Sequence, residues 1–337
     1  MSSVYVIQQQ ARLRVRNRRL QVERDEEGRE PEVLLSVPLG QVSQVVLFGN
    51  ISLTTPAIDA LLAQESEVVF LSAEGAYRGR LVGAVTPHVP LRRAQYRALE
   101  KPEFVLQTAR ALTAAKLGHQ RALLLRHNRE PQDAVMAAAI AQLDEARQNT
   151  ARKTCLNSLR GLEGSATAAY FQGFRRLFDP RWRFDDRNRR PPRDPVNVLL
   201  SFGYTLLAQA AGSAVQAVGL DPYAGFLHEI AYNRPSLGLD LMEEFRPVVD
   251  GVVLWCCRSG QLEPRHFSPG PPERPLVLED AGRRVFLQAY EQRLDQTFTH
   301  PLRGLKLPLR QCLIEQARQL GQRVMDDRPG YTGMGFR

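Results

Sequence analysis

The sequence predicts an α+β protein in which an N-terminal β-rich, β-sandwich-like domain precedes a larger all-α domain. Residues 4–85 consist of short β-branched or alternating runs, which Gly, Pro and charged residues interrupt, as is typical of strands. From residue 92 almost to the C terminus, apolar residues recur with the spacing of three and four that indicates helices. The 337 residues are enough for two such domains.

The first domain is predicted to span residues 1–86. Its strands are predicted at residues 4–8, 12–15, 19–24, 32–38, 44–49, 67–73 and 77–83. One helix is predicted over residues 55–64, because Thr54 and Thr55 precede Pro56 and an apolar helical pattern follows. Pro87 and Pro90 interrupt both periodicities, so residues 87–93 are predicted to be a linker.

The second domain is predicted to span residues 94–326 and to be α-helical, and residues 327–337 are predicted to form a flexible tail. Its pattern predicts helices at residues 92–126, 131–148, 151–177, 195–218, 223–228, 240–247, 276–295 and 308–325. The helix at 195–218 carries no charge, but a polar residue recurs on it every fourth position, from Asn197 to Ser213. We therefore expect a buried helix whose polar side meets other protein groups, and no membrane span.

Arginine dominates the positive charge of the chain. The formal net charge is +9, and only four of the 45 Lys and Arg residues are Lys, which leaves 41 Arg. Because Arg binds phosphate as a planar fork, this excess indicates a polyanionic partner. A GC-rich genome explains the Arg-to-Lys ratio equally well, but it does not explain the net positive charge.

The cysteines and the N-terminal residues indicate the cellular compartment. The four cysteines fit neither a disulfide framework nor a CxxC metal site. The first residues contain no apolar segment of signal-peptide length. We therefore expect a cytoplasmic protein.

The most basic segment spans residues 175–193. It contains Arg175, Arg176, Arg181, Arg183, Arg187, Arg189, Arg190 and Arg193. Four aromatic residues, Phe174, Phe178, Trp182 and Phe184, interleave with these arginines. Phosphate contacts and base stacking would suit a DNA strand, while four nearby aspartates fit a salt-bridged surface loop equally well.

Glu163 is the first candidate for chemistry. At about 100° per residue, Glu163, Thr167, Tyr170 and Phe174 share one helical face, so the carboxylate extends a largely buried stripe. A carboxylate on an inward face needs a cation. An Arg partner is the more common solution, and a metal ion is the alternative.

His228 and an acidic cluster are the other candidates. A lone His after an apolar run is more often a hydrogen-bonded core residue than a ligand. Asp240, Glu243 and Glu244 lie within an arc of about 100° on one predicted helix. They form either a solvated acidic helix start or a cation site, and helical geometry does not choose between Glu243 and Glu244.

Together these residues predict a divalent-cation site built from one His and two or more carboxylates. Oxygen ligands favour Mg²⁺ or Mn²⁺, and an imidazole shifts the preference towards Mn²⁺ or a transition metal. A basic protein with such a site suits phosphodiester chemistry. The competing hypothesis is a non-catalytic nucleic-acid-binding scaffold whose acids pair with Arg. A metallohydrolase acting on a small phosphorylated substrate leaves the Arg excess unexplained.

Three ordered segments between residues 160 and 250 resemble a known family. They are GLEGSATAAYF from residue 161, RRPPRDPVNVLLSFGYTLL from residue 189 and LHEIAYNRPSLGLDLMEEFRP from residue 227. They are similar to segments of the CRISPR-associated protein one family, the integrase and metal-dependent DNA endonuclease of spacer acquisition.

The resemblance implies functional residues. It implies that Glu163, His228 and Glu243 are metal ligands and that Asp240 is a fourth, catalytic acid at or near the metal. It also places Tyr170 and Arg234 close to the site, in contact with DNA. With them, the basic segment offers Arg175, Arg176, Arg189 and Arg190 as DNA-binding candidates.

The resemblance also implies an activity and partners. The implied reaction joins short DNA fragments to a CRISPR array, with a DNA 3′-hydroxyl as the attacking group. The implied partners are double-stranded and branched DNA, a second copy bound through the β-rich domain, and a small ferredoxin-like dimer, CRISPR-associated protein two.

Overall fold

The computed structural model describes residues 2–25, 30–83, 88–130 and 132–335. It confirms the α+β class, with strands first and mostly helices afterwards. The chain divides into two compact units, Met1–Val85 and Thr86–Arg337.

Two four-stranded sheets and one helix form the first unit. In chain order its elements are β1 (Ser2–Val6), β2 (Ala11–Arg16), β3 (Arg19–Arg24), β4 (Glu32–Pro38), β5 (Val42–Phe48), β6 (Ser52–Leu53), α1 (Thr55–Ala63), β7 (Glu67–Leu71) and β8 (Tyr77–Leu81). One sheet has the order β1-β5-β7-β8 and the other β4-β3-β2-β6. β5 pairs in parallel with both β1 and β7, whereas β3 pairs antiparallel with β2 and β4.

Alternating apolar residues give these sheets one shared core. Val4 and Val45 from the first sheet and Leu13 and Leu20 from the second are buried in one cluster, with Leu61 of α1. The seven predicted strands are confirmed. β6 was missed because two residues are too short to show an alternation.

Helices dominate the second unit. Its elements are α2 (Val89–Leu99), α3 (Pro102–His127), α4 (Ala134–Asn149), α5 (Leu156–Arg175), α6 (Pro195–Val218), α7 (Ser236–Glu243), α8 (Arg246–Arg258), β9 (Phe267–Pro269), β10 (Leu276–Leu278), α9 (Asp280–Asp295), β11 (Thr297–Thr299), β12 (Lys306–Pro308) and α10 (Leu309–Met325). The four short strands pair as two antiparallel ribbons.

The linker prediction is wrong where the structure describes it. Pro87 lies outside the described residues, but α2 begins at Val89 and carries Pro90 in its first turn. The predicted helix over 92–126 is divided before Pro102, which begins α3. Pro lacks the N–H that a first helical turn leaves unpaired anyway, so both prolines start helices here.

The predictions around the acidic cluster also need correction. Residues 223–228 are irregular, because the Asp240 carboxylate accepts the backbone N–H groups of Phe226, Leu227 and His228. Residues 240–247 are not one helix, since α7 ends at Glu243 and α8 begins at Arg246.

The apolar helix α6 is long and apolar enough to cross a membrane by length and composition, but 61% of that window is buried inside the protein. Its polar side meets protein groups, as predicted: Arg187 donates to Asn197 Oδ1 at 2.7 Å and to Ser201 Oγ at 3.2 Å.

The prediction of a flexible C-terminal tail is wrong for residues 327–335. Tyr331 and Met334 are buried. Gln319 donates to the Thr332 carbonyl at 3.0 Å and accepts from its backbone N–H at 2.6 Å. The tail is therefore part of the helical unit.

Candidate metal centre

Glu163 and Glu243 meet at a buried lysine, and His228 lies beside Glu243. Glu163 lies on α5, Glu243 ends α7, and His228 lies in the segment between α6 and α7. The ammonium group of Lys116 on α3 forms ion pairs with Oε1 of Glu163 and, at 2.5 Å, with Oε2 of Glu243. Lys116 is 3% exposed. A single cation therefore sits between the two carboxylates.

Lys116 was missed in the sequence. It precedes Glu163 by 47 positions, and its own helix shows only an ordinary alternation of apolar and polar residues. The sequence predicted that the Glu163 carboxylate needs a cation and favoured Arg over a metal. The structure supplies Lys. Thr167 completes the contacts of Glu163, donating its hydroxyl to Oε1 at 3.0 Å.

Glu243 is held in its ionised form. Arg246 donates Nη1 to Oε1 at 2.7 Å, and Nε2 of His228 lies 3.9 Å from the same oxygen. Burial alone would raise the pKa of Glu243, but Arg246 and Lys116 outweigh it and hold the pKa well below its ordinary value.

Asp240 holds His228 and the backbone around it. Its Oδ1 accepts the backbone N–H of His228 at 2.8 Å and lies 2.7 Å from Nδ1 of the ring. Its Oδ2 accepts from the backbone of Phe226 and Leu227 at 2.5 and 2.9 Å. The side chain is fully buried. Asp240 was expected at or near the metal; it lies next to His228, where its contacts suit a positioning role, and its part in catalysis stays a prediction.

The donors fit a divalent cation in their chemistry. Within the described ranges, no three His, Cys, Asp or Glu side chains are preassembled at metal-binding distance, because Lys116 separates the carboxylates. Oε2 of Glu243 is buried and accepts no hydrogen bond of normal geometry. Two carboxylates and an imidazole nitrogen suit Mn²⁺ or Mg²⁺. The side chains of Glu163 and His228 are 24% and 22% exposed, so the centre opens on their side.

A buried network lies behind the centre. Asp250 of α8 accepts the phenol hydroxyls of Tyr170 at 2.7 Å and of Tyr204 at 2.5 Å. The guanidinium of Arg246 lies 4.1 Å from the Tyr204 ring centre. Burial raises the pKa of Asp250 to about 6, although the hydrogen bonds from the two tyrosines lower it. Tyr170 is fully buried, so the expectation that it contacts DNA is wrong.

Glu244 faces the C-terminal tail instead of the centre. Its carboxylate accepts from the Tyr331 hydroxyl, from Gln316 Nε2 at 3.0 Å and from the Met334 backbone at 2.9 Å. Burial raises the pKa of Glu244 to about 7, although these hydrogen bonds lower it. The adjacent acids Glu243 and Glu244 therefore have different partners: Lys116 and Arg246 for the first, and the C-terminal tail and Gln316 for the second.

The basic segment splits into a buried and an exposed part. Phe174, Trp182 and Phe184 are buried, so these aromatic side chains belong to the core and offer no stacking surface to a DNA base. Arg175, Arg176, Arg189 and Arg190 are exposed, and Arg176 pairs with Asp133 at 2.8 Å. Arg234 lies partly exposed in the turn before α7.

Solved structures share this architecture. A casposase bound to integration product matches with a TM-score of 0.84 and 22% identity, over 98% of this chain and 93% of that one. A chain of a Cas6-RT-Cas1–Cas2 complex matches with a TM-score of 0.83 and 24% identity, over 99% of this chain and 36% of that one. The fold is that of Cas1-like proteins.

Comparison of the sequence with known families and proteins shows which family the chain belongs to. The model of CRISPR associated protein Cas1 matches residues 4–292. A relative from Thermus thermophilus, CRISPR-associated endonuclease Cas1 1, is 42% identical over 319 residues, which cover 94% of each chain. The chain therefore belongs to the Cas1 family, as the three sequence segments predicted.

Proposed function

We propose that this chain is a divalent-metal-dependent DNA endonuclease and integrase of CRISPR adaptation, which joins short foreign DNA fragments to a CRISPR array. The observation that carries the proposal is that Glu163 and Glu243 share one buried cation, with Nε2 of His228 3.9 Å from Oε1 of Glu243. Membership of a family whose relative is named an endonuclease supports it.

Glu163, Glu243 and Nε2 of His228 would hold Mg²⁺ or Mn²⁺. A bound ion of this kind polarises a phosphoryl oxygen and favours the ionised form of an attacking hydroxyl. The protein supplies the rest: Asp240 orients His228, and Arg246 keeps Glu243 ionised and in place. The partly exposed side of the centre, at Glu163 and His228, leaves room for a phosphodiester.

The proposed reaction exchanges one phosphodiester for another. The 3′-oxygen of the fragment forms a bond to a phosphorus atom at the repeat border and gives up its proton. The bond from that phosphorus to the 3′-oxygen of the repeat strand breaks, and this oxygen leaves as a hydroxyl. Water in place of the 3′-hydroxyl gives cleavage, which is the endonuclease activity.

Duplex DNA with branched or flayed ends is the proposed substrate. Exposed arginines on one stretch of chain, Arg175, Arg176, Arg189 and Arg190, offer phosphate contacts, and Arg234 lies in the segment that joins His228 to α7. Such contacts predict binding that weakens steeply with salt.

Homodimerisation through the first unit is the proposed assembly. Three consecutive apolar residues of the edge strand β4, Val33, Leu34 and Leu35, are 48%, 38% and 40% exposed. Exposed apolar runs on an edge strand favour pairing with another chain. A small ferredoxin-like dimer, Cas2, is proposed as the further partner, since part of a chain from a Cas6-RT-Cas1–Cas2 complex shares the fold. We place the assembly in the cytoplasm.

The proposal is tested with a labelled branched duplex and a repeat-containing plasmid in Mn²⁺. We expect cleavage and strand transfer by the unaltered chain, and loss of both in Glu163→Gln, His228→Asn and Glu243→Gln with DNA binding retained. Glu229→Gln is the matched control, because Glu229 neighbours His228 but its side chain is 72% exposed and paired with Arg160. Activity that survives the three changes, or binding without any metal-dependent activity, would support the non-catalytic scaffold instead.

A further inference from the structure

A cavity of about 630 Å³ lies between α3, α8 and α9. None of Lys116, Glu163, His228 and Glu243 lines it. Its volume lies within the roughly 300–1,000 Å³ of small-ligand sites. The cavity is therefore large enough for a ligand of its own.

Basic side chains line this cavity, and no described acidic side chain lies among them. Its lining includes Arg126, His127, Arg258 and Arg293, and no Asp or Glu among the residues that the structure describes. Elsewhere many arginines pair with carboxylates, as Arg121 does with Asp144.

The cations of the cavity lie close enough to affect one another. Arg126 and Arg258 form no ion pair with any described carboxylate, and Arg293 donates to the neutral Gln296. Burial first, and then Arg258 and Arg126, lower the pKa of His127. Burial and Arg126 likewise lower the pKa of Arg293. An anion bound among these groups would relieve their repulsion.

An exposed indole forms part of the same wall. Trp255 is 49% exposed, whereas Trp182, the other Trp of the chain, is 1% exposed. The apolar residues Pro247, Val248 and Val252 continue the wall beside it. A flat aromatic ring in the same wall as guanidinium groups without a carboxylate partner offers both stacking and positive charge. A nucleotide base with its phosphate uses both of these interactions.

We propose that this cavity binds a nucleoside phosphate, with the phosphate among Arg126, Arg258 and Arg293 and the base against Trp255. The ligand is a free nucleotide or one unit of a single DNA strand, which share this chemistry. The site is separate from the metal centre and stands whether or not the proposed catalytic function holds.

Tryptophan fluorescence tests the proposal, because a ligand in the cavity reaches Trp255 and leaves the buried Trp182 unchanged. The full chain is titrated without metal with dAMP, deoxyadenosine, inorganic phosphate and a 5′-phosphorylated hexadeoxyadenylate. We expect saturable quenching by dAMP, with an affinity at least tenfold weaker in Arg258→Gln and Arg293→Gln. Deoxyadenosine, which lacks the phosphate, should bind at least tenfold more weakly, and phosphate alone should leave the indole spectrum nearly unchanged.

Arg284→Gln is the matched control, since Arg284 is an exposed arginine of α9 outside the lining. Circular dichroism confirms that each variant is folded. A hexanucleotide that binds tenfold more tightly than dAMP identifies a DNA strand as the ligand, and equal affinities identify a free nucleotide. The proposal is overturned if neither compound quenches saturably, or if Arg284→Gln weakens binding as much as Arg258→Gln does.

Discussion

Oδ1 of Asp240 lies 2.7 Å from Nδ1 of His228. A carboxylate accepts hydrogen bonds, so in the neutral ring Nδ1 carries the proton and Nε2 has the lone pair. Nε2 is also the nitrogen on the side of Glu243, 3.9 Å from its Oε1. One buried carboxylate thus selects the tautomer and the ring orientation that metal binding requires.

Replacing Asp240 should weaken metal binding without removing a ligand. In Asp240→Asn the amide can present its N–H₂ to Nδ1, which favours the tautomer with the proton on Nε2. We expect Mn²⁺ affinity to fall by about 10- to 100-fold, the usual effect of a group that orients a metal-bound His. Titration followed by electron paramagnetic resonance measures it. Unchanged affinity in a folded variant would show that Asp240 only supports the loop.

Lys116 should compete with the metal ion. Its ammonium already neutralises Glu163 and Glu243, so Lys116→Met leaves two facing carboxylates that a divalent ion can neutralise. We expect lower stability without metal, tighter Mn²⁺ binding and a larger metal-induced rise in melting temperature. Lys101→Met is the control, because Lys101 forms an exposed pair with Asp327. Weaker Mn²⁺ binding by Lys116→Met would contradict the competition.

The buried Asp250 should make stability depend on pH. Its pKa is about 6 in the folded chain against an ordinary 3.8, so between these values the folded state binds more protons than the unfolded state. Stability contributed by this group therefore falls as pH rises, by on the order of 2–3 kcal/mol between pH 4 and 7. In Asp250→Asn this side chain cannot titrate. Urea unfolding at each pH gives the free energy of unfolding of both chains, and the difference between the two free energies should change by that amount from pH 4 to pH 7. A constant difference across this range would refute the prediction.

The C-terminal tail should contribute to stability through Glu244. Tyr331→Phe removes a hydroxyl donor from a buried carboxylate, and such bonds contribute about 1.5–3 kcal/mol. Deleting residues 331–337 also removes the backbone donor of Met334 and should cost more. Urea unfolding measures both changes, with the exposed Tyr223→Phe as control. If the shortened chain unfolds at the same urea concentration, the tail does not stabilise the helical unit.

Local sequence patterns predicted most helices and strands. The partners of the buried acids were missed because those contacts are long-range. The alternation of β2 and the helical stripe of Glu163 and Phe174 are visible within a few residues. The partners Lys116 and Tyr331 are not, because they lie 47 and 87 positions from the acids they meet.

The wrong assignments have physical reasons of the same kind. α8 was missed because nine of its 13 residues are buried and its outer face shows only Gly251 and Trp255 between the two terminal arginines, so no charged residue marks a helical period there. Tyr170 was predicted to contact DNA from its place in a family segment, although its position on an inward helical face indicates burial. Asp240 was expected at or near the metal, and the sequence did not show that backbone N–H groups of the irregular segment before α7 donate to its carboxylate.

Pulsed electron paramagnetic resonance of bound Mn²⁺ tests the metal centre most directly, since it detects the nitrogen of a coordinating imidazole. We expect one Mn²⁺ per chain with a nitrogen coupling, which disappears in His228→Asn and persists in Glu229→Gln. Binding should be lost in Glu163→Gln and Glu243→Gln. Mn²⁺ bound without a nitrogen coupling, or a coupling that survives in His228→Asn, would contradict a centre built on these three residues.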